Sequence, residues 1–175
     1  MRKTKIMKKS NKVVFLDIDG VVNTIMIDIN PFPYYDKDKQ RLVNGFYSDI
    51  CSPSDLRVSN RQAIMWLNKL CIESGADIVI TSTWKLHGLD NVIESLRNSG
   101  LIDNIKVIGA TPRISGSLRG DEIRIYLSEH PEIDNFVILD DDRDMCEFVD
   151  KLVQTDVYVG FTMRDYLKAL DILRD

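Results

Sequence analysis

The sequence predicts an α/β fold of three layers, in which a parallel sheet lies between helices within a single domain. Two patterns support this fold. Strand-like segments alternate with helix-like segments along the chain, and each strand is apolar throughout rather than at every second residue. Strands of this kind are buried on both faces, as in a parallel sheet covered by helices. At 175 residues the chain is long enough to bury such a core without disulfides or structural metals.

The first half of the chain contains one strand, an insertion and one helix. Residues 13–16 are β-branched, aromatic or aliphatic, and the acidic residues that follow indicate a turn where this strand ends. Residues 23–58 carry prolines and aromatic residues without a clean period, so we expect a small inserted flap there. Ser59 or Asn60 then caps a helix whose apolar face includes Cys71, and Gly75 marks its end.

The second half repeats the alternation of strand and helix. Further strands are predicted at residues 78–80, 106–108 and 136–139. Helices are predicted to begin at Asp90, to cover residues 119–129, and to follow a capping box formed by Thr162 and Asp165. The core face of the last helix is predicted to consist of Tyr166, Leu167, Leu170 and Leu173.

Charge is distributed unevenly along the chain. Residues 1–12 contain six lysines and arginines and no acidic residue, which leaves 17 basic residues against 27 acidic ones in residues 13–175. We expect residues 1–12 to form a disordered basic tail, because short charged segments at chain ends are commonly solvated. Contact of this tail with nucleic acid is the alternative interpretation.

The cysteine and hydropathy patterns indicate the compartment. Cys51, Cys71 and Cys146 are an odd number without C-x-x-C spacing, which argues against a disulfide framework and against a zinc site. Reduced thiols and a cytoplasmic location are therefore expected. No apolar run approaches the roughly eighteen residues of a membrane span, and Asp17 and Asp19 interrupt any signal peptide. We expect no membrane partner, and the oligomeric state is left open.

Reactive side chains follow three of the predicted strands. Parallel strands bring their carboxyl ends to one edge of the sheet, where ligands bind. Asp17 and Asp19 follow the first strand. A carboxylate is a competent nucleophile toward phosphorus, and a second carboxyl group can protonate the leaving oxygen and later deprotonate water. This pair therefore predicts phosphoryl transfer.

Such a pair needs a metal ion, because two carboxylates would repel an anionic substrate. Mg²⁺ bound through one or two carboxylates of this pair and through substrate oxygens matches this set of ligands, and further carboxylates supply the rest. Asp140 is expected to supply one of them and Asp141 another, with Asp142 and Asp144 as alternatives to Asp141. Adjacent acidic residues after a buried strand repel one another unless a cation lies between them.

The transferred phosphoryl group also needs donors for its oxygens. Thr81 and Ser82 follow the second strand, and either hydroxyl can serve. Arg119 supplies a cation, and its place at a helix N-terminus is unfavourable unless it has such a role. For Trp84, packing in the core is favoured over stacking on a base. The expected substrate contacts other than Ser82 and Arg119 are Gly20, Thr81, Thr83, Trp84 and Lys85.

Several segments carry a family resemblance. FLDIDGVVN, ITSTW and VILDDD resemble the first, second and fourth motifs of the haloacid dehalogenase (HAD) superfamily. More narrowly, Ser82-Thr83-Trp84 and the segment RGDEI at residues 119–123 are similar to the HAD domains of Swiss-army-knife RNA-repair proteins. The resemblance covers nearly everything after residue 12. It implies a HAD-like, Rossmann-like sheet with helices on both faces.

The resemblance also implies a function and a set of roles. It implies a Mg²⁺-dependent phosphatase in which Asp17 is the nucleophile and forms an aspartyl-phosphate, while Asp19 is the acid/base and a backbone metal ligand. Nucleic-acid 3′-phosphate ends are the implied substrate class, and the short insertion at residues 23–58 implies an open site that admits a polymer end. The implied phosphate and metal contacts are Ser82, Arg119, Asp140 and Asp141.

Other function classes use the same features. A phosphomonoesterase for small metabolites or nucleotides would need the same catalytic residues. A catalytically silent binding module that keeps the fold would share every motif residue. A signalling receiver domain is disfavoured, because its acidic pair comes at the first strand and its phosphate acceptor in the middle, whereas the acidic cluster at residues 140–142 comes last here.

Overall fold

The described residues of the chain contain seven strands and four α-helices. The computed structural model describes residues 11–24, 34–36, 41–43 and 60–174. The strands are β1 (Lys12–Leu16), β2 (Tyr34–Asp36), β3 (Arg41–Val43), β4 (Asp77–Ile80), β5 (Val107–Ala110), β6 (Asn135–Asp140) and β7 (Leu152–Gln154). The helices are α1 (Arg61–Ser74), α2 (Leu89–Asn98), α3 (Arg119–Glu129) and α4 (Met163–Arg174), with 3-10 turns at Thr83–His87 and Cys146–Lys151.

Five of the strands form one parallel sheet in the order β5-β4-β1-β6-β7. Strand β1 lies in the middle, so that Leu16 pairs with Ile80 of β4 on one side and with Leu139 of β6 on the other. All three strands therefore end at the same edge of the sheet. The predicted three-layer, Rossmann-like arrangement is confirmed.

Two cores cover the two faces of this sheet, because successive residues of a strand point to opposite faces. On one face, Val14 and Leu16 pack with α1, α2 and α4 through buried residues such as Leu67. On the other face, Val13 and Phe15 pack with Ile123 and Tyr126 of α3, among others. Helices on both faces fix the sheet and leave its carboxyl edge for the site.

The ends of the helices follow local chemistry. Asn60 caps α1, since its side-chain oxygen accepts from the Ala63 N–H at 3.0 Å, and Gly75 ends that helix in a left-handed conformation with φ +71°. The predicted capping box of α4 is confirmed: the Thr162 N–H donates to the Asp165 carboxylate at 3.1 Å, and the Asp165 N–H donates to the Thr162 hydroxyl at 3.4 Å.

Some sequence expectations were wrong. Asp90 does not cap α2, because this helix begins one residue earlier and Gly88 holds the N-cap position. Leu167 does not face the core but is 54% exposed. Strand β7 was not predicted, because only Val153 of its three residues is buried and a short edge strand of this kind carries little hydrophobic signal.

The predicted tail and insertion lie largely outside the described residues. Residues 1–10 are not described, and Lys12 already belongs to β1. Within the predicted insertion at residues 23–58, the described part contains β2 and β3, which pair antiparallel. Among the helices of the described part, none is long and apolar enough to cross a membrane.

Candidate active site

The ends of β1 and β6 bring two aspartates together. Asp17 directly follows β1, and its N–H donates to the carbonyl of Leu139 in β6 at 3.0 Å. Asp140 is the last residue of β6, and its carbonyl accepts from the Thr155 N–H at 2.9 Å. Because the backbone of each residue is tied to a neighbouring strand, both carboxylates are fixed at the sheet edge. Both residues are also buried.

Asp141 completes a cluster of three carboxylates. Oxygens of Asp17, Asp140 and Asp141 all lie within 4.8 Å of one another. The Asp140 Oδ1 accepts from the Asp142 N–H at 3.0 Å, whereas its Oδ2 is fully buried and has no hydrogen-bond partner in the described part of the chain. A buried carboxylate oxygen that accepts no hydrogen bond from the described residues can bind a metal ion in addition to its ion pair with Arg119, and a set of three carboxylates suits a hard divalent ion. The cluster can therefore hold a metal ion.

The pKa values of the three clustered aspartates are all raised, mainly because these carboxyl groups are buried. Burial, followed by the nearby Asp140 charge, raises the pKa of Asp17 to about 7 against the opposing effects of Arg119 and Ser82. Burial also raises the pKa of Asp140 to about 6, although Arg119 and the Asp142 N–H oppose it. The pKa of Asp141 is raised as well, first by burial. In the metal-free protein the cluster therefore favours bound protons, which a metal ion would replace.

Arg119 faces the cluster from the N-terminus of α3. Its Nη2 lies 3.4 Å from Asp17 Oδ1, and its Nε lies 3.5 Å from Asp140 Oδ2. A third nitrogen, Nη1, donates to the carbonyl of Thr81 beyond β4. One guanidinium thus joins the ends of three adjacent strands, which explains why a cation occupies this helix N-terminus.

The neighbouring Gly120 lets α3 reach this position. A Cβ on Gly120 would lie 2.4 Å from the backbone of Met145. The helix therefore packs against the loop after β6 at a distance that only glycine allows. This close approach brings Arg119 to the sheet edge.

Asp19 lies beside the cluster with a different environment. It is exposed, unlike Asp17. Both of its carboxylate oxygens accept hydrogen bonds: Oδ2 from the Trp84 indole N–H at 2.8 Å and Oδ1 from the Asn23 amide at 2.7 Å. Two donors from different segments thus orient this carboxylate. The contact also gives Trp84, which packs partly against the core, a polar partner that sequence reasoning missed.

The turn between Asp17 and Asn23 depends on Gly20. Its φ is +75°, a left-handed conformation, and a Cβ there would lie 2.4 Å from the Asp141 side chain. Its carbonyl accepts from the Thr155 hydroxyl at 2.8 Å. Because Gly20 has no side chain, Asp141 can approach the turn after β1. This is the role of Gly20 that the structure shows.

The structure distinguishes the two hydroxyls that follow β4. Ser82 is buried, and a hydrogen bond from its side chain is among the interactions that lower the pKa of Asp17. The Thr81 hydroxyl is also buried, but it has no hydrogen-bond partner among the described residues. Ser82 is thus the hydroxyl that contacts the Asp17 carboxylate. The next residue, Thr83, is exposed and begins the 3-10 turn.

Lys85 is paired away from the cluster. Its Nζ lies 2.6 Å from Glu122 Oε2 and 2.8 Å from the Thr111 hydroxyl, and both members of the ion pair are nearly buried. Burial is the main reason that the pKa of Lys85 is lowered. The sequence contained a signal for this partner, because Glu122 lies between buried positions at the start of a helix and a buried acid requires a cation.

The remaining acidic residues of the fourth motif have other contacts. Asp144 accepts from the Arg119 backbone N–H at 3.0 Å, and its own carbonyl accepts from the Gly120 N–H at 3.0 Å. It therefore caps α3 rather than joining the cluster. Asp142 is exposed, and its carboxylate accepts from the Arg143 N–H at 2.7 Å. Asp141 is the neighbour that joins Asp140.

Comparison with known proteins identifies one related family. The model of the HAD domain in Swiss Army Knife RNA repair proteins matches residues 13–166. No curated protein and no solved structure matches the chain.

Replacing Asp140 is predicted to stabilise the metal-free protein in a pH-dependent way. Folding raises the pKa of Asp140 from 3.8 to about 6. The contribution of the protonated Asp140 side chain to the free energy of unfolding is therefore fully present below pH 4 and is lost as the pH rises through 6. Without metal, Asp140→Asn should match the wild type near pH 4 and exceed its free energy of unfolding by roughly 1–3 kcal/mol at pH 8. Urea unfolding in the presence of a chelator measures this difference.

Asp142→Asn is the matched control, since it removes an exposed carboxylate two residues away. It should show no such gain and should keep the stabilisation by added Mg²⁺ that Asp140→Asn loses. An Asp140→Asn protein that is less stable than the wild type at pH 8 without metal, or that keeps the full Mg²⁺ effect, would contradict a cation site at this cluster.

Proposed function

Because the chain belongs to the family of HAD domains found in Swiss Army Knife RNA repair proteins, we propose that it is a Mg²⁺-dependent phosphatase that acts through an aspartyl-phosphate. The family indicates a HAD-type phosphatase or a related role. The metal, the intermediate and the substrate are the parts that we propose.

One observation carries the proposal. A buried carboxylate, Asp17, lies in a cluster of three with an arginine facing it, and a fourth carboxylate, Asp19, is held separately by two donors two residues along. Phosphoryl transfer by this route needs a nucleophile and a proton carrier in distinct environments. The buried and the exposed aspartate differ in this way.

In the first step, an Asp17 oxygen attacks phosphorus and the bond from phosphorus to the leaving oxygen breaks. Asp19 donates its proton to that oxygen, so that the alcohol leaves neutral and Asp17 carries the phosphoryl group. The Trp84 and Asn23 donors contact the two side-chain oxygens of Asp19 and orient this group. They are therefore positioning residues for the group that moves the proton.

In the second step, water attacks the phosphorus of the aspartyl-phosphate. Asp19, now a carboxylate, takes the proton from this water, and the bond from phosphorus to the Asp17 oxygen breaks. Inorganic phosphate leaves, Asp17 is again a carboxylate, and Asp19 is again protonated. One residue thus serves as acid and then as base.

The phosphoryl oxygens need positive charge and donors throughout. We propose that Arg119 and the Ser82 hydroxyl, which already contact Asp17, turn toward these oxygens when substrate binds. Asp17, Asp140 and Asp141 would hold Mg²⁺, which when bound offsets the charge of the carboxylates and of the phosphate. The proposal that Asp19 adds its backbone carbonyl to this set rests on the family resemblance.

For the substrate, we propose phosphate groups at the 3′ ends of nucleic acid. Two features support this choice. The family is described from RNA repair proteins, and residues 1–12 carry six basic residues that would attract a polyanion. A small-metabolite phosphatase is the alternative in the same reaction class, and a silent binding module is the alternative outside it.

Two aspartate variants test the mechanism. Asp17→Asn should abolish Mg²⁺-dependent hydrolysis of 4-nitrophenyl phosphate and of an alkyl phosphate alike, because the nucleophile is lost. Asp19→Asn should lose at least about a hundredfold in kcat/KM on the alkyl phosphate and clearly less on the nitrophenyl ester, whose leaving group needs no proton. Steady-state kinetics with both esters measures the difference.

The exposed Asp142→Asn variant is the control and should keep wild-type rates on both esters. Full activity of Asp17→Asn would overturn the nucleophile, and equal losses of Asp19→Asn on the two esters would overturn its role as acid. Absence of turnover by the wild type with every phosphomonoester would favour the silent module.

A competition assay tests the substrate class. Oligonucleotides with a 3′-phosphate should inhibit aryl phosphate hydrolysis more strongly than sugar phosphates or phosphopeptides do. This advantage should shrink at raised salt and on removal of residues 1–10, which precede β1, because it rests partly on charge. Equal inhibition by sugar phosphates would favour the small-metabolite alternative.

A further inference from the structure

A polar cavity adjoins the Asp17 site on the side of α3. It encloses about 200 Å³ and is called the Arg113 cavity below. Among the described residues, its wall contains three cationic side chains and three hydroxyl-bearing residues, which are Lys85, Arg113, Arg119, Thr81, Thr83 and Ser117. Arg113 lies in the loop between β5 and α3 and is not a member of the cluster of aspartates.

The cavity and the cluster of aspartates share one wall. Arg119 lines the cavity and also contacts Asp17 and Asp140. Thr81 lines it as well, directly before Ser82, the residue that contacts Asp17. A group in this cavity would therefore lie beside a phosphate that is being attacked by Asp17.

Most charges around the cavity already have partners. Glu122 pairs with Lys85 at 2.6 Å, and its Oε1 accepts from the Ile114 N–H at 3.2 Å. Asp144 accepts from the Arg119 backbone N–H. The two acidic side chains of the wall are thus engaged by donors of the protein itself.

Arg113 differs from these residues. It is exposed, and within residues 11–24 and 60–174 no carboxylate pairs with it and no acceptor binds it. Burial is the main cause of the lowered pKa of Lys85, Glu122 opposes it, and the charges of Arg119 and Arg113 lower it further, so both guanidinium groups lie close enough to Lys85 to repel its ammonium group. An anion in the cavity would relieve this repulsion.

We propose that the Arg113 cavity binds a second phosphate of the substrate, next to the phosphate that is hydrolysed. A guanidinium offers paired N–H donors that match phosphate oxygens. The volume of about 200 Å³ is below the roughly 300–1,000 Å³ of pockets that enclose a drug-sized ligand, so it suits a phosphate better than a whole nucleotide.

This inference rests on the proposed phosphatase function and narrows its substrate. A nucleic-acid chain that ends in a 3′-phosphate carries its next phosphate on the 5′ oxygen of the same nucleoside. Arg113 would therefore favour a substrate with phosphates on both sides of one sugar over a simple monoester. A sugar monophosphate has no group for this cavity.

The test compares adenosine 3′,5′-bisphosphate with adenosine 3′-monophosphate, measuring release of the 3′-phosphate from each. The wild type should show a higher kcat/KM for the bisphosphate. Arg113→Gln should reduce the ratio of the two kcat/KM values about tenfold, mainly through the KM for the bisphosphate, because it removes a charged hydrogen-bonding partner of the second phosphate. Arg164→Gln, which changes an exposed arginine of α4, should leave the ratio unchanged.

The outcomes distinguish a failure of the second phosphate site from a failure of the proposed phosphatase function. Hydrolysis of both nucleotides with the same ratio in the wild type and in Arg113→Gln would overturn the second phosphate site alone. Hydrolysis of neither nucleotide would count against the proposed function. In that case calorimetric binding of the bisphosphate decides the site, since a similar affinity in both proteins would overturn it and weaker binding by Arg113→Gln would support it.

Discussion

Three carboxylates within 4.8 Å of one another are the constraint around which the rest of the site is arranged. Asp17 and Asp140 are buried, and burial is the main reason that both pKa values are raised; the Asp140 charge raises that of Asp17 further, and the Asp141 charge raises that of Asp140. One arginine facing them offsets only part of this charge. A divalent cation would balance the remainder, which links metal binding to the stability of the fold as well as to the proposed chemistry.

The backbone keeps this unfavourable arrangement in place. Strand β1 lies between β4 and β6, so hydrogen bonds along both neighbours determine where Asp17 stands. Two glycines then allow close approaches that any side chain would block: Gly20 against Asp141, and Gly120 against Met145. The packing of two cores against the sheet stabilises the fold, whereas the repulsion between the carboxylates at the edge of the sheet destabilises it. The two cores therefore stabilise the fold, and the edge of the sheet holds the residues of the candidate site.

The sequence predicted the sheet, because buried strands followed by acidic residues give a strong signal, and the structure brings Asp17, Asp140 and Asp141 together at the edge of this sheet. The sequence did not predict which of the acidic residues after β6 joins the cluster and which one caps a helix. Asp144 caps α3 and Asp141 joins the cluster, a division that depends on the path of the loop after β6. The Trp84–Asp19 and Lys85–Glu122 contacts were likewise missed, since each joins segments whose relative position is set by tertiary packing.

The central claim is that Asp17 forms a covalent phosphoryl intermediate. The most direct measurement is mass spectrometry of the protein after rapid acid quenching during turnover, with the Asp19→Asn variant used to slow hydrolysis of the intermediate. The account predicts a phosphoryl group on the peptide that contains Asp17, present with Mg²⁺ and absent when a chelator is added. Turnover with the phosphoryl group on another residue, or with none on any residue of the Asp19→Asn protein, would contradict it.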